Sequence, residues 1–385
     1  MGVDACRAAV SGATLPAKVD APVALITKDT ADQAIAAAPK PRRLPQPVHR
    51  ADQEVNQTVT HPEAGSSSPA RASALGGMLR DGTFWADWAA AVGLVVLVVI
   101  FQAANPTFLS SGNIRSMLVA SAILVVLTVG QTFVVVTGGI DLSVASMMTF
   151  GAVLFGFGIS RGWGIVACGV LAVLGGGLIG LVNGVLVGNG RITDFVVTLG
   201  SLSAASGLAL VIADGKPVTV VNVALLRLAT GGVGIIGWSV LVAAVVAVLA
   251  HLVLFRTRWG THVFAAGGSA EAATATGISV PAIKIAVYTV SGVLAGLAAI
   301  LLVARIGAAE PAANTSFLLN SVAAVVLGGV SLVGGRGSVL GPVLGALLLT
   351  ALANGLTLLG VSPFYQPVAV GTVVVLAALL TRFRK

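Results

Sequence analysis

Charged residues are scarce in this sequence. They make up 9% of the 385 residues, whereas a soluble domain carries about 25%. The low charge excludes an ordinary soluble domain, because a single core could not bury the apolar side chains of a chain that is 56% hydrophobic. A mean hydropathy of +1.00 therefore indicates that lipid surrounds most of the protein.

Aromatic residues are few as well, at 5% of the chain. A nucleic-acid-binding surface combines basic clusters with aromatic side chains, and no such cluster occurs here. The net charge of +8 is better explained by the basic residues that gather in the cytoplasmic loops of membrane proteins. Glycine, by contrast, is abundant, with 48 residues, and it allows membrane helices to approach each other closely.

Residues that carry most enzyme and metal chemistry are rare. Cysteine occurs twice, at Cys6 and Cys168, and this separation favours neither a disulfide nor a metal site. The four histidines form no close constellation with acidic residues, so we expect no catalytic site, metal or cofactor. The phosphate-binding pattern G-x-x-x-x-G-K-[ST] is also missing, so the chain cannot hydrolyse ATP by that route.

The chain divides into two unlike parts. Residues 1–83 are rich in Ala, Pro, Ser, Gln and Asp, and they contain no apolar run of membrane-spanning length. This composition predicts a disordered cytoplasmic tail. A secretory signal is not expected, because no apolar region follows the first basic residues. Residues 84–385 form the predicted transmembrane domain.

Ten apolar segments of roughly membrane-spanning length follow one another in this second part. Their predicted limits are 88–104, 116–136, 142–160, 163–188, 195–213, 235–254, 282–303, 320–335, 339–360 and 366–381. The eighth is short and the turn between the second and third is tight, so eight full spans with re-entrant pieces are an alternative. The balance of basic residues favours cytoplasmic N- and C-termini, although some basic residues fall on the outer side. The predicted fold is an all-α polytopic membrane protein.

The stretch T-G-G-I-D-L-S at 137–143 places a carboxylate between the second and third segments. Gly138 and Gly139 can end a helix at little cost. Asp141 is then placed to cap the helix that starts near Leu142, and Ser143 belongs to the same break. A charge in hydrocarbon costs at least about 2.5–3.5 kcal/mol. Two interpretations are open: a plain cap at a turn, and a broken helix that lines a water-accessible substrate pathway.

Two further patterns recur inside apolar segments. G-G-V-S-L at 328–332 is similar to G-G-I-D-L at 138–142, and the dipeptide N-G occurs at Asn183 and again at Asn354. These repeats hint at two related halves, a common plan among transporters. Each asparagine is open to two interpretations, as a hydrogen-bonding residue between helices or as a residue of the substrate pathway.

The largest polar stretch within the apolar part is residues 255–284, which lies on the cytoplasmic side of this topology. Its sequence S-A-E-A-A-T-A-T-G predicts a short helix with Ser269 as the N-terminal cap and Gly277 as the stop. Such a helix is too short to be stable alone. It must pack either against the protein's own membrane helices or against a partner protein.

Four blocks of sequence resemble the permease subunits of ATP-binding cassette (ABC) importers for monosaccharides, the ribose-type permeases. They are V-V-V-T-G-G-I-D-L-S-V-A-S (134–146), the stretch that begins N-G-V-L-V-G-N-G-R-I-T-D-F (183–210), W-G-T-H-V-F-A-A-G-G-S-A-E-A-A-T-A-T-G-I (259–278) and S-V-A-A-V-V-L-G-G-V-S-L-V-G-G-R-G-S-V-L-G (321–341). The blocks occur in the family's order, and the resemblance covers essentially residues 88–385.

The resemblance implies a transport subunit that forms the pathway for a monosaccharide across the bacterial cytoplasmic membrane and is not itself an enzyme. It implies three partners: a second permease copy in a dimer, a cytoplasmic ATPase that supplies the energy, and an extracytoplasmic sugar-binding protein. Gly267, Glu271, Ala272, Ala273 and Gly277 are similar to the coupling loop that sits in a groove of the ATPase.

Some positions depart from the family pattern. Ala145 stands where a glycine is usual, and Leu318 and Asn320 stand where many members have an acidic pair. These differences bear on which sugar is carried more than on the class of transporter. Two alternatives are a secondary transporter of a small polar solute, with Asp141 as the only strong intramembrane carboxylate, and an ABC permease for branched-chain amino acids.

Overall fold

The computed structural model of the chain describes residues 82–312 and 315–382, and these are mostly helical. The helices are α1 (Gly82–Ala104), α2 (Ser111–Val136), α3 (Val144–Ser160), α4 (Ile165–Gly188), α5 (Asp194–Ile212), α6 (Val223–Thr230), α7 (Trp238–Arg256), α8 (Arg258–Gly268), α9 (Ala270–Ala275), α10 (Val280–Ile306), α11 (Thr315–Leu327), α12 (Leu340–Leu358) and α13 (Gln366–Arg382). The predicted tail, 1–83, lies outside the described residues apart from its last two, which begin α1.

Two short antiparallel strand pairs tie loops together. β1 (Val218–Thr219) pairs with β4 (Ala308–Ala309), with Val218 opposite Ala309. β2 (Gly232–Val233) and β3 (Ile236–Gly237) form a hairpin. The first pair fastens the loop after α5 to the chain that leaves α10.

Six of the helices are long and apolar enough to cross a membrane: α2, α4, α5, α7, α10 and α12. Shorter apolar stretches, Ala90–Ala104, Val144–Ser160, Thr315–Leu327 and Pro363–Val375, fall in and around α1, α3, α11 and α13. The prediction of a helical, multi-pass membrane domain is therefore confirmed. The count of ten spans and the side on which the termini lie stay predictions.

α2 is the central helix of this domain. All of its residues from Ser121 to Val136 are buried, and it packs against α7, α10, α11 and α12. Most of this buried stretch is Val, Leu and Ile, with a few polar residues such as Thr128, Gln131 and Thr132 among them, as expected for a helix enclosed by other helices.

α4 and α10 lie antiparallel and unusually close, because glycines recur every fourth residue along α4. A methyl group on Gly184 would lie 2.6 Å from the Ile285 Cα, and one on Gly188 would lie 2.8 Å from the Pro281 carbonyl oxygen. Any side chain at these two positions would force the helices apart, so the glycines set their separation.

The bundle has two ends that differ in character. We call the end that carries residues 255–284 the loop end; the last turn of α2 and the first turn of α10 lie there. We call the opposite end the cavity end, because it holds the cavity described below. The first turn of α2, the last turn of α10 and the last turn of α12 lie at the cavity end.

The eighth predicted segment, 320–335, differs most from the structure. α11 spans Thr315–Leu327, and the chain then runs without helix until Leu340. Gly329, Gly334 and Gly335 have φ values of 76°, 92° and 71°. These left-handed conformations do not fit a continuing helix. The segment is therefore a short helix followed by an irregular break.

Candidate functional site

The chain breaks between α2 and α3 at residues 137–143, here called break 1. α2 ends at Val136, and Gly138 follows its C-cap with φ of 75°. A methyl group on Gly138 would lie 3.0 Å from the Val333 carbonyl oxygen. Both the left-handed backbone and this close approach explain why glycine stands here.

The Asp141 carboxylate accepts three hydrogen bonds within the protein. Its Oδ1 accepts from the Ser143 N–H at 2.9 Å and from the Ser143 hydroxyl at 2.6 Å. Its Oδ2 accepts from the Ser291 hydroxyl of α10 at 2.9 Å. Because hydrogen bonds to a charged acceptor are strong, this carboxylate links break 1 firmly to α10.

The hydrogen bonds continue to two more helices. Asn183 of α4 donates to the Ser143 hydroxyl oxygen at 2.9 Å. The side-chain oxygen of Asn183 accepts from the Ser201 hydroxyl of α5. Asp141, Ser143, Asn183, Ser201 and Ser291 thus form one connected set, here called the Asp141 network, which joins break 1 to α4, α5 and α10.

The structure corrects one expectation about Asp141 and leaves the other as a prediction. Asp141, Ser143 and Asn183 are each 0% exposed in this conformation, and their part in a water-accessible pathway stays a prediction. Protein donors, the Ser143 N–H and the hydroxyls of Ser143 and Ser291, bond both of its carboxylate oxygens. The capping position differs: α3 begins at Val144 with Ser143 as its N-cap, and Asp141 bonds the N–H of Ser143 from two residues earlier.

An ion pair lies directly against break 1. Lys284 Nζ of α10 is 3.2 Å and 3.4 Å from the two carboxylate oxygens of Asp194, the first residue of α5. A methyl group on Gly139 would lie 2.7 Å from Asp194 Oδ2 and 2.8 Å from the Tyr288 hydroxyl oxygen. Gly139 therefore leaves the room that the ion pair needs.

A second irregular segment, residues 328–339, is here called break 2, and it meets break 1 through backbone atoms. The Gly335 N–H donates to the Val136 carbonyl at 2.9 Å. A methyl group on Gly334 would lie 2.7 Å from the Gly138 nitrogen and 2.8 Å from the Gly267 carbonyl oxygen. Gly138, Gly267, Gly334 and Gly335 form what we call the glycine junction, where the end of α8 meets both breaks.

Residues 255–284 contain the predicted short helix, α9. Ser269 accepts a hydrogen bond from the Ala272 N–H at 3.2 Å and caps it. Gly277 follows α9 with φ of 85°. Glycine adopts this left-handed conformation easily because it has no Cβ. The predicted N-terminal cap, Ser269, and the predicted end of the helix, Gly277, therefore agree with the structure.

The two helices of this connection face different surroundings. α8 packs inward, where the Trp259 ring lies 5.8 Å from that of Phe133 on α2. α9 buries Ala273 but exposes Glu271 and Ala272. The connection thus packs on the protein's own helices through α8 while presenting a small, singly charged surface on α9.

Asn354 lies far from the Asp141 network, at the cavity end. Its amide pairs with that of Asn113 on α2 in both directions, with nitrogen–oxygen distances of 2.9 Å and 3.0 Å. Asn183 and Asn354 therefore belong to separate polar clusters, and the repeated N-G dipeptide does not mark a shared site.

A cavity of about 420 Å³ opens beside Asn354. α2, α10, α11, α12 and the first residue of α13 form its wall. The polar residues that line it include Ser116, Arg305, Asn320, Thr350, Asn354 and Gln366. A cavity of this size with a few polar groups is typical of a site for a small molecule.

Several of these residues were not singled out from the sequence as site residues. Ser201 and Ser291 carry no local signal, because serine is common in apolar helices. Lys284 does carry one, because it falls within the apolar segment 282–303, where an ionisable residue requires a partner, and Asp194 directly precedes the segment 195–213. Arg305 is one of the basic residues that fall on the outer side of the predicted topology, two residues after the segment 282–303, and it carries only this weak signal.

Known proteins match the part of the chain that contains both breaks, α8, α9 and the cavity. The chain matches a protein-family model described as the permease component of branched-chain amino acid transport systems over residues 113–380. No solved structure shows a significant match.

Three curated relatives are permeases of sugar transport systems. The ribose import permease protein RbsC of Bacillus subtilis (strain 168) is 39% identical over 295 residues, which span 76% of this chain and 91% of the relative. RbsC of Escherichia coli (strain K12) is 37% identical over 75% of this chain and 91% of its own length. The D-allose transport system permease protein AlsC of the same strain is 32% identical over 78% and 92%. The chain belongs to the family of ribose-type permease subunits of ABC importers.

Proposed function

We propose that the chain forms the pathway by which a monosaccharide crosses the bacterial cytoplasmic membrane. The curated relatives carry ribose and D-allose in their names, and both are neutral monosaccharides. These names favour a sugar over the branched-chain amino acids in the family model's description. The energy comes from ATP that a partner subunit hydrolyses.

Three partners belong to this proposal. A cytoplasmic ATPase drives the cycle, and an extracytoplasmic binding protein delivers the sugar. A second copy of this permease completes the membrane part of the importer, most simply as a homodimer. Membership of the family of ABC importer permeases supports the first two partners.

α9 is the proposed contact with the ATPase. Glu271 and Ala272 are exposed on it, Ala273 anchors it, and Gly277 permits the turn that ends it. Gly267, at the end of α8, contacts the backbone of both breaks. Because no side chain separates these backbones, a displacement of α8 by a partner must move break 1 and break 2.

Within this proposal the loop end is cytoplasmic. Arg191, Arg256, Arg258 and Arg336 lie there, but Arg115, Arg161 and Arg227 lie at the cavity end, so the described loops alone do not set the orientation. The basic residues of the two terminal segments, Arg71, Arg80, Arg384 and Lys385, support cytoplasmic termini. Ten membrane-crossing or re-entrant segments accompany this orientation.

The proposed role of the Asp141 network is to position break 1. Gly138 and Gly139 allow the break, and Asp141, Ser143 and Asn183 hold it against three neighbouring helices. The carboxylate acts on the pathway through the backbone that it fixes, not by contact with the sugar.

One observation carries the coupling proposal: the direct backbone contact between the end of α8 and both breaks. It is tested by the ATPase activity of the assembled importer. The complex of this chain with its ATPase should hydrolyse ATP several times faster when sugar-loaded binding protein is added. Equal rates with loaded binding protein and without it would contradict the proposal.

A further inference from the structure

Two polar side chains face the cavity without a protein partner. Arg305, in the last turn of α10, and Asn320 of α11 both line it. Among the described residues, neither side chain forms a hydrogen bond or ion pair. Asn354 and Gln366 also line the cavity, but they already bond Asn113 and Thr357. Arg305 and Asn320 are therefore the groups that are free to bind a molecule there.

One face of α2 leads from this cavity into the interior. Met117, Ala120 and Leu124 line the cavity at intervals of three and four residues. With about 3.6 residues per turn, Thr128 and Gln131 lie on the same face. At about 1.5 Å per residue they lie roughly 6 Å and 10 Å beyond Leu124 toward the loop end.

Thr128 and Gln131 are buried polar residues whose hydrogen-bonding groups are unused. Both are 0% exposed. The Thr128 hydroxyl oxygen and both amide atoms of Gln131 have no hydrogen-bond partner within the described part of the chain. Unpaired buried polar groups cost stability and are rare in native proteins. Two residues with such groups lie on the face of α2 that extends inward from the cavity. They indicate a second conformation in which these groups form hydrogen bonds to another molecule.

We propose that this face of α2 is a wall of the sugar pathway. Arg305 and Asn320 receive a neutral monosaccharide in the cavity, and Thr128 and Gln131 bind its hydroxyl groups when the bundle opens toward the loop end. This inference rests on the proposed function, because it places the same substrate on named residues.

The chemistry of the wall favours a neutral polyhydroxyl compound. A sugar hydroxyl both donates and accepts, and so do the amides of Asn320 and Gln131 and the hydroxyl of Thr128, while Arg305 only donates. None of the described residues that line the cavity is acidic, so it offers no carboxylate for the ammonium group of an amino acid. The deeper positions, Thr128 and Gln131, are uncharged and offer no counter-charge for an anion.

The deep positions are tested by the variants Thr128→Val and Gln131→Met. Each removes polar atoms that no protein group uses and changes the side-chain volume little. The thermal midpoint of the purified importer should therefore stay the same or rise. ATP-driven uptake of radiolabelled D-ribose into proteoliposomes that hold the complete importer should fall about tenfold, the loss of one or two hydrogen bonds.

Thr132→Val is the matched control for Thr128→Val. Thr132 lies on the same helix and is also 0% exposed, but its hydroxyl already donates to the Thr128 carbonyl at 2.7 Å. Its loss should leave ribose uptake within about twofold of the unaltered importer. A fall as large as that of Thr128→Val would overturn the assignment.

The cavity positions are tested by Arg305→Gln and Asn320→Leu, with Arg227→Gln on exposed α6 as the control for lost charge. We expect the two cavity variants to move less ribose per ATP hydrolysed while ATPase stimulation by loaded binding protein persists. Arg227→Gln should keep the normal ratio. Unchanged ratios in both cavity variants would overturn the inference.

The outcomes separate this inference from the proposed function. If the unaltered importer takes up ribose and the Thr128 and Gln131 variants do too, the inference is wrong and the proposed function stands. The inference is also wrong if these variants lose stability and uptake together, because the side chains are then structural. If the unaltered importer carries neither ribose nor any other monosaccharide, the proposed function itself fails.

Discussion

The Ser291 hydroxyl donates a hydrogen bond of 2.9 Å to the Asp141 carboxylate, 150 residues away in the sequence. The bond fastens break 1 to α10, and Ser143 supplies the two other donors to the same carboxylate. These three hydrogen bonds to the charged acceptor offset the free-energy cost of burying the Asp141 carboxylate.

The first prediction concerns Asp141→Leu and Asp141→Asn. Leucine leaves the donors from Ser143 and Ser291 unpaired, at about 1–3 kcal/mol for each donor that stays buried. We expect a clearly lower membrane abundance and thermal midpoint for Asp141→Leu. Asparagine keeps one acceptor oxygen, and its amino group can donate to the Ser291 oxygen, so Asp141→Asn should be near normal in abundance with reduced transport.

The control for lost charge is Asp214→Asn, an exposed residue paired only with Lys216 at the surface. It should change neither abundance nor transport, because exposed ion pairs contribute little. Equal stability of Asp141→Leu and the unaltered protein would show that the Asp141 network does not hold break 1.

The second prediction compares two adjacent glycines at the end of α8. A methyl group on Gly267 would lie 2.8 Å from the Gly335 nitrogen, whereas one on Gly268 would meet nothing within 4 Å. Gly267→Ala should therefore disturb the glycine junction and lower ATPase stimulation by loaded binding protein. Gly268→Ala should leave it unchanged, and equal effects of the two substitutions would contradict a role for the junction.

The third prediction tests the charge on α9. Glu271→Lys reverses an exposed carboxylate at the proposed ATPase contact, so it should weaken co-purification of the ATPase without lowering the amount of permease in the membrane. Glu310→Lys makes the same change in an exposed residue at the other end of the bundle and should retain the ATPase. If both variants retained it equally, α9 would not be the contact.

The fourth prediction concerns the paired amides of Asn113 and Asn354. Each single substitution to leucine leaves the partner's amide without its hydrogen bonds, but the double substitution removes both. The thermal midpoint should fall in each single variant and recover in part in the double variant, with a coupling of about 0.5–3 kcal/mol. Additive losses would mean that the two amides do not depend on each other.

Much of the helical pattern could be predicted from the sequence, because a membrane-crossing helix requires a run of about 20 apolar residues. The segments predicted at 163–188 and 195–213 correspond to α4 (Ile165–Gly188) and α5 (Asp194–Ile212). The eighth segment, 320–335, corresponds only in part to a helix, since its run of apolar residues continues through glycines whose left-handed backbone ends α11 at Leu327. Composition reports hydrophobicity over such a stretch, but not where its backbone turns.

The site could be predicted only in part. The need of Asp141 for a partner follows from its charge, and the break follows from Gly138 and Gly139. Which partners it finds depends on how α4, α5 and α10 pack around break 1, and nothing near Ser201 or Ser291 in the sequence indicates this. The unused amide of Gln131 is likewise visible only once its neighbours are in place.

The most direct test is uptake of labelled D-ribose by proteoliposomes that contain this chain, its ATPase and its binding protein. We expect uptake to require hydrolysable ATP on the side of the loop end and to continue when an ionophore collapses the membrane potential. Uptake that persists without ATP and stops when the ion gradient is removed would show that the chain is not the permease of an ATP-driven importer.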